Sequence, residues 1–302
     1  MSKKISVVIS SLRPERLEET IDSTAMHSDL VEIVVCSPLP PKPRDFVRHV
    51  PVPGPSDPNE LSWSQKNNLA VKEASGEYIV FNNDDIHFRA GWAPELILHM
   101  EKTRDDRRPY LAAFHLANKG IPHTRYTAFG MLYANLGCIC KADLIFVGGT
   151  LFDERFWLSH NDVDLGLRVW HAGGKVELCK NIVMDIDRDK PHKVTSPYHK
   201  KYFYGDCETF FMVWFPRYFW KFVKNYHSIL RSLTSEDNVL PPHQQVSGAF
   251  RVLISPFIVL KVLHFIGMKK NRRTQNLLLR LTRVVNRRWA TMDYQVPYME
   301  MQ

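Results

Sequence analysis

Cysteine, long apolar runs and, toward the end of the chain, negative charge are what these 302 residues have least of. The five cysteines, Cys36, Cys138, Cys140, Cys179 and Cys207, are odd in number and scattered, which argues against a disulfide framework. Cys138 and Cys140 fall on one face of a strand, half of a zinc site, yet no second Cys/His pair stands at a ligand-like spacing. The thiols are therefore read as free and buried in a reducing cytosol. The longest apolar stretch, residues 252–268, contains Pro256, Lys261 and His264 and falls short of the roughly 20 residues of a membrane-spanning helix. Met1-Ser2-Lys3-Lys4 leads directly into a short strand and lacks the apolar length of a signal peptide. No internal repeat or low-complexity tract is visible. Between Asn238 and Met292 there is no acidic residue, and the net charge of +8 is concentrated in this C-terminal part. A basic balance suits nucleic acid, anionic lipid or phosphorylated substrates. The same segment is too apolar for a nucleic-acid tail, so no nucleic-acid partner is expected.

What is present is a core-forming chain, 44% hydrophobic, of a length that fits one large domain or two smaller ones. Ile5-Ser6-Val7-Val8-Ile9 is a continuous β-branched run, read as a buried parallel strand. A helix follows over 14–24, with Pro14 at its first position, then a strand over 32–36. A Pro-rich connection over 38–58 holds a short strand at 46–50. A helix over 62–74 leads into a strand over 78–81. The order β-α-β-loop-α-β predicts an α/β fold, a doubly wound sheet. Further on come a helix over 91–102, short β-like runs over 110–141, and a turn at Gly148-Gly149. A helix over 162–172 and strands over 175–179 and 182–186 follow.

The strand at 78–81 ends abruptly in Asn82-Asn83-Asp84-Asp85. Four amides and carboxylates at a strand's carboxyl end need water, a cation or a ligand, and in an open α/β sheet that edge is where ligands bind. Aspartates there suit a hard divalent ion, and through it a diphosphate.

Four segments in order resemble the bacterial family-2 glycosyltransferases of GT-A fold. The first is Ile5-Ser6-Val7-Val8-Ile9 with Arg13-Pro14 and Leu17-Glu18-Glu19-Thr20-Ile21. The second is Asn67-Asn68-Leu69-Ala70 running through Ala74-Ser75-Gly76-Glu77-Tyr78 to Asn82-Asn83-Asp84-Asp85, similar to the family's Asp-x-Asp segment. The third is residues 137–141 with Val147-Gly148-Gly149 and Phe152-Asp153-Glu154-Arg155-Phe156. The fourth is Asn161-Asp162-Val163-Asp164-Leu165-Gly166-Leu167-Arg168, similar to the segment that carries the family's general base. The resemblance implies a GT-A catalytic domain over 1–200, a Rossmann-like, mostly parallel sheet. Its nucleotide-sugar half is expected over 1–105 and its acceptor half over 106–200, with a mainly helical, basic and aromatic extension over 201–302.

The implied activity is inverting, metal-dependent transfer of a sugar from a nucleotide diphosphate, a UDP-sugar first, to a glycan or lipid-linked acceptor of bacterial surface polysaccharide. A dTDP-rhamnose or GDP-sugar donor, or a catalytically weak GT-A scaffold at the membrane, is the alternative. By the same resemblance Asp162 is the base, with Asp164 its alternative, and Ser10, Ser11, Arg13, Cys36, Ser37, Asn68, Asn82, Asn83 and Asp84 contact the donor. Asp84 and Asp85 hold Mn²⁺ or Mg²⁺, with Asp185 or His192 as a further ligand, and Asp153, Glu154 and His160 shape the acceptor side. Arg188, Lys190, Lys193, Lys200 and Lys201 suit a lid over the diphosphate. The chain departs from the family at four places. Ser10-Ser11-Leu12-Arg13 is a shortened first turn. Cys36-Ser37-Pro38 stands where aspartates help hold the base. Asn82 replaces an Asp, and Asn161 a Glu.

In the stretch 277–289, Leu277, Leu278, Leu281, Val284, Val285 and Trp289 share one helical face, and Arg280, Arg283 and Arg287 another. Such a helix docks on an anionic membrane, at the inner face of the cytoplasmic membrane, or packs on the catalytic domain or on a second subunit in a homodimer. On the membrane reading the chain co-sediments with anionic liposomes, less so in high salt, and not after removal of residues 269–302. Equal recovery in the supernatant with neutral and anionic vesicles would leave the packing reading, on the catalytic domain or on a second subunit.

Overall fold

The computed structural model describes residues 4–55, 57–118, 121–123, 126–128, 131–186, 202, 205–206, 209–210 and 213–214. Cα packing divides the chain into two compact units, residues 1–125 with 131–207, and residues 126–130 with 208–302. The amphipathic stretch 277–289, the basic set 188–201 and His192 lie outside the described residues. No helix among the described residues is long and apolar enough to cross a membrane.

The first unit opens with strand β1 (Ile5–Ser10), helix α1 (Pro14–Thr24), β2 (Val31–Ser37), β3 (Val47–Pro51), α2 (Trp63–Glu73) and β4 (Tyr78–Asn82). Next come β5 (Ile86–Phe88), α3 (Trp92–Thr103), β6 (Tyr110–Asn118) and β7 (Ile121–His123). Strand β8 (Tyr126–Ala128) belongs to the second unit. The first unit resumes with β9 (Met131–Tyr133), β10 (Gly137–Cys140), a 3-10 segment (Lys141–Val147), α4 (Asn161–His171) and β11 (Lys175–Ile186). The main sheet runs β3-β2-β1-β4-β10-β6-β11-β5, with β7 beside β6. Strands β3, β2, β1 and β4 are parallel. β10 is antiparallel to both β4 and β6, and β11 runs parallel to β6 and antiparallel to β5. The two strands expected over 175–186 are one, β11, with a register shift between Cys179 and Val183.

The unbroken apolar runs of β1 and β2 are explained by burial on both faces: every residue of both strands is buried. Val8, Val34, Ile79, Phe81 and Ile139 belong to a single core cluster with Ala70 and Val71 of α2 and with Leu165 and Val169 of α4. Helix α2 starts where a capping box forms. Ser62 Oγ accepts from Gln65 N at 3.0 Å, and Gln65 Oε1 accepts from Ser62 N at 2.8 Å.

A buried acid lies near the amino end of β2. Glu32 accepts from Ser6 Oγ at 2.5 Å, Ser75 N at 2.5 Å, Ser75 Oγ at 2.9 Å and Gly76 N at 3.3 Å. Burial alone raises its pKa, but these donors outweigh burial and hold it below the usual 4.5. The bonded carboxylate therefore contributes stability above pH 4.5 that is lost as pH falls through the lower folded value. Glu32→Gln is expected to cost about 1–3 kcal/mol at pH 7, and the gap should close in acid, where both side chains are neutral. Melting curves between pH 7 and pH 3 check this, and a constant gap contradicts it.

Candidate active site

At the carboxyl end of β1 the chain turns through Ser11 and Arg13, and both side chains reach across to the end of β4. Ser11 Oγ donates to Asp84 Oδ2 at 2.6 Å and accepts from Arg13 N at 3.0 Å. Arg13 Nε donates to Asp84 Oδ2 at 3.1 Å, and Arg13 Nη2 bonds Asp84 Oδ1. The same nitrogen reaches Asp85 Oδ2 at 3.2 Å, and Arg16 Nη1 reaches it at 3.5 Å. Asp84 and Asp85 are 4% and 7% exposed. Four expected site residues, Ser11, Arg13, Asp84 and Asp85, thus form one cluster. Ser10 is buried at the end of β1, in register with Cys36. Asn83 is half-buried. Asn82 is wholly buried, and neither polar atom of its amide has a hydrogen-bond partner.

This donor set fits a hard divalent ion. Two carboxylates and an orphaned amide oxygen stand at one sheet edge, and an ion of the Mg²⁺ type needs only one or two carboxylates when phosphate and water complete its shell. The wider set with Asp185 is not assembled. Asp185 pairs with Arg89 at 2.6 and 2.7 Å, opposite His87 in the β5–β11 register. Among the described residues no three His, Cys, Asp or Glu side chains form a group able to hold a metal.

The candidate base reaches the same edge by register. Gly137 of β10 pairs with Phe81 of β4 in antiparallel fashion, so the chain carrying Asn135 enters β10 beside the carboxyl end of β4. Asn135 Nδ2 donates to Asp162 Oδ2 at 2.7 Å, and Val163 N donates to Asp162 Oδ1 at 2.8 Å. Burial pushes the Asp162 carboxyl up to about 6 against these bonds. Helix α4 is held close because it carries Gly166 there: a Cβ at that position would stand 2.5 Å from Tyr133 Cβ. The residue before α4, His160, has φ 67, in the left-handed region that side chains other than glycine rarely adopt. Burial lowers its pKa to about 4, so its imidazole is neutral at physiological pH.

Several expectations need correction. Cys36 is fully buried in the core cluster, and burial pushes its thiol up to about 12; it faces packing rather than a nucleotide. Ser37 donates its hydroxyl to Leu39 O at 2.6 Å. Asn68 joins α2 to the loop after the 3-10 segment: its amide donates to Phe152 O at 2.8 Å and Glu154 Oε1 at 3.1 Å, and accepts from Phe152 N at 2.9 Å. Asp164 is wholly buried and takes Arg168 Nε at 2.7 Å, while the same guanidinium bonds the carbonyls of Val147, Thr150 and Leu151. It is an anchor of α4, and no face of it is open to an acceptor. Asp153 accepts from Arg155 N, Nε and Nη2 at 2.6–3.0 Å. Glu154, next to it, is exposed.

Two residues escaped sequence reasoning. Asn135 sits in no motif, and only the β4–β10 register reveals it. Asp206 lies in an aromatic-rich stretch that masks it. Its buried carboxylate accepts from the backbone N–H groups of Trp157, Leu158 and Ser159 at 2.7–2.8 Å, and Trp157 stacks on Tyr202 at 4.3 Å. Together they fix the loop that leads to His160 and Asp162.

No protein-family model and no curated protein sequence matches this chain. Solved structures do. TarS of S. aureus matches with a TM-score of 0.51 at 12% identity, over 90% of this chain and 46% of that one. A TarS structure of residues 1–349 matches at 0.51 and 11% identity, over 90% and 77%. GalNAc-T7 with UDP, GalNAc and Mn²⁺ matches at 0.52 and 13% identity, over 86% and 58%. This chain therefore spans less than half of the longer TarS chain. The likeness shows the fold, which is of the GT-A glycosyltransferase type.

A carboxyl group whose pKa rises from 3.8 to about 6 on folding binds more protons in the folded chain between those values, so stability falls as pH rises through that window. Asp162→Asn removes this penalty and keeps the bond from Val163 N to Oδ1, with the Asn135 amide turned so that its oxygen accepts from the new amide nitrogen. It is expected to raise the melting temperature at pH 7.5, by about 1–3 kcal/mol in stability, with no gain at pH 3.5. A variant less stable than the wild type at pH 7.5 contradicts the strained-carboxylate reading.

Proposed function

We propose that this chain is an inverting, metal-dependent glycosyltransferase that moves a sugar from a nucleotide-diphosphate donor, a UDP-sugar, to a hydroxyl of a glycan or lipid-linked acceptor. The observation that carries this reading is the alignment of two unlike carboxylate sites on one sheet edge. Asp84 and Asp85 are clustered with cationic side chains, and Asp162 is bonded to Asn135, which lies just ahead of the end of β10 that pairs with the carboxyl end of β4. Support for the donor and the ion comes from the fold shared with GalNAc-T7, whose structure holds UDP and Mn²⁺.

In this mechanism Asp84 and Asp85, with the Asn82 amide oxygen, would hold the ion. When bound, the ion acts as a Lewis acid that offsets the charge of the leaving diphosphate. Arg13 and Arg16 add charge-assisted hydrogen bonds to phosphate oxygens, with Arg13 exchanging its bonds to Asp84 for them. Asp162 takes the proton of the acceptor hydroxyl as that oxygen attacks the anomeric carbon. The bond from that carbon to the diphosphate oxygen breaks, its electron pair leaves with the diphosphate, and the configuration inverts. A carboxylate with a pKa of about 6 is ionised at neutral pH and is a better base than an ordinary aspartate. Ser11 positions Asp84, Asn135 orients Asp162, and Asp206 holds the loop beside it. A catalytically weak scaffold would share the fold, yet it leaves unexplained a base candidate kept at a cost in stability.

The test has two parts. UDP with Mn²⁺ should raise the melting temperature, since a ligand that binds the folded state stabilises it. Asp162→Asn should keep that shift while transfer from the UDP-sugar falls by a factor on the order of 10² to 10⁴. Absence of a nucleotide-dependent shift, or full transfer by the Asn variant, overturns the reading.

A further inference from the structure

The end of β2 poses a problem for any nucleotide laid along this edge. Cys36 is in the core and Ser37 gives its hydroxyl proton to Leu39 O, so neither supplies a charged group to hold a base. Two charged side chains nearby have no bonded partner of their own. Lys66 stands in the first turn of α2 and is 2% exposed. Its ammonium makes no hydrogen bond or ion pair with another described residue. Glu60 precedes the Ser62 cap by two residues, and its Oε1 is buried without a partner. The topology fixes where this pair lies. The chain leaves the carboxyl end of β3 and enters α2, then returns to the amino end of β4. α2 therefore begins at the carboxyl edge of the parallel strands, packed on β1 and β2. The two charges are close enough for Glu60 to raise the proton affinity of Lys66, although burial outweighs this and lowers it.

We propose that Lys66 and Glu60 together read the nucleobase of the donor nucleotide, an inference that rests on the transferase reading above. A buried ammonium and a buried carboxylate oxygen, each without a bonded partner and close enough to feel the other's charge, match a base edge that presents an acceptor next to a donor. Uracil does so with O4 and N3–H: Lys66 donates to O4, and Glu60 Oε1 accepts from N3–H. Cytosine presents an amino donor where uracil has O4, which sets donor against donor at Lys66. The spacing agrees. The Ser11–Arg13–Asp84 cluster joins β1 and β4, and β2 lies two strand spacings from β4, about 10 Å, the span of a nucleoside between its diphosphate and its base. The pair comes from the loop after β3 and from α2, and so replaces what the end of β2 lacks. Leaving a buried polar group unpaired is also how a site rejects the wrong ligand most strongly.

Titration calorimetry with Mn²⁺ present and UDP, CDP or inorganic pyrophosphate as the probe tests this. Wild type should bind UDP at least about tenfold more tightly than CDP, one good hydrogen-bonded contact being worth that much. Lys66→Met should weaken UDP by about 10- to 100-fold, leave pyrophosphate unchanged and shrink the UDP/CDP ratio toward one. It should also melt at a higher temperature, because an unpaired buried ammonium is removed, so lost affinity is not lost folding. Glu60→Ala, in a surface loop, should reproduce the change in selectivity. If both variants keep the wild-type UDP affinity and UDP/CDP ratio, the proposal fails while the transferase reading stands. If wild type binds no nucleotide, both fail.

Discussion

The insertion of β10 between β4 and β6 is the constraint on which the rest of this structure depends. A Cβ on Gly137 would stand 2.3 Å from the carbonyl oxygen of Ala112, so only glycine lets the antiparallel strand enter at this depth. That depth sets the register Gly137 to Phe81. The register in turn brings the chain before β10, with Asn135, to the carboxyl end of β4, and Asn135 is bonded to Asp162. A looser insertion would leave two half-sites, one at the parallel strands and one on α4, with nothing to hold them at a common edge.

Electrostatics divides the buried acids into two kinds. Glu32, Asp143 and Asp164 are saturated with donors: Glu32 by hydroxyls and amides, Asp143 by Arg104 and Tyr110 N, Asp164 by Arg168. They tie strand to loop or helix to loop and have no spare capacity. Asp162 has two neutral donors and no cation, and burial lifts its pKa. Asp84 and Asp85 lie between these extremes, paired with arginines that are themselves only partly buried and suited to a change of partner. The anchoring acids tie together the strands and the helix that carry the reactive ones, so the strain at the left-handed His160 is borne by a well-tied frame.

Much of the fold was legible in the sequence because its signals are local. The apolar runs of β1, β2 and β4, Pro14 at the first position of α1 and the glycines after α4 each act within a few residues. The cluster at Asp84 was legible too, since a polar end to a buried strand leaves few structural explanations. What could not be read depends on pairing across the chain. Asp164 and Asp162 are two residues apart in one motif, and only the packing of Arg168 against the 147–151 carbonyls shows which is sealed. Cys36 and Asn68 occupy positions that motif order assigns to a ligand, yet the core and the Phe152 backbone claim them. Asn135, Asp206 and the pair Glu60–Lys66 belong to no motif, because each acts on a residue brought near by the fold.

The central claim is that one sheet edge holds both the diphosphate site and the base. A crystal structure with UDP and Mn²⁺, read by the anomalous signal of the metal, tests it most directly. The account predicts a peak bound to Asp84 at the carboxyl end of β4, the diphosphate against Arg13 and Arg16, and the Asp162 carboxylate open on the far side of the sugar position. A peak away from Asp84, or a nucleotide bound at the opposite edge of the sheet, would contradict it.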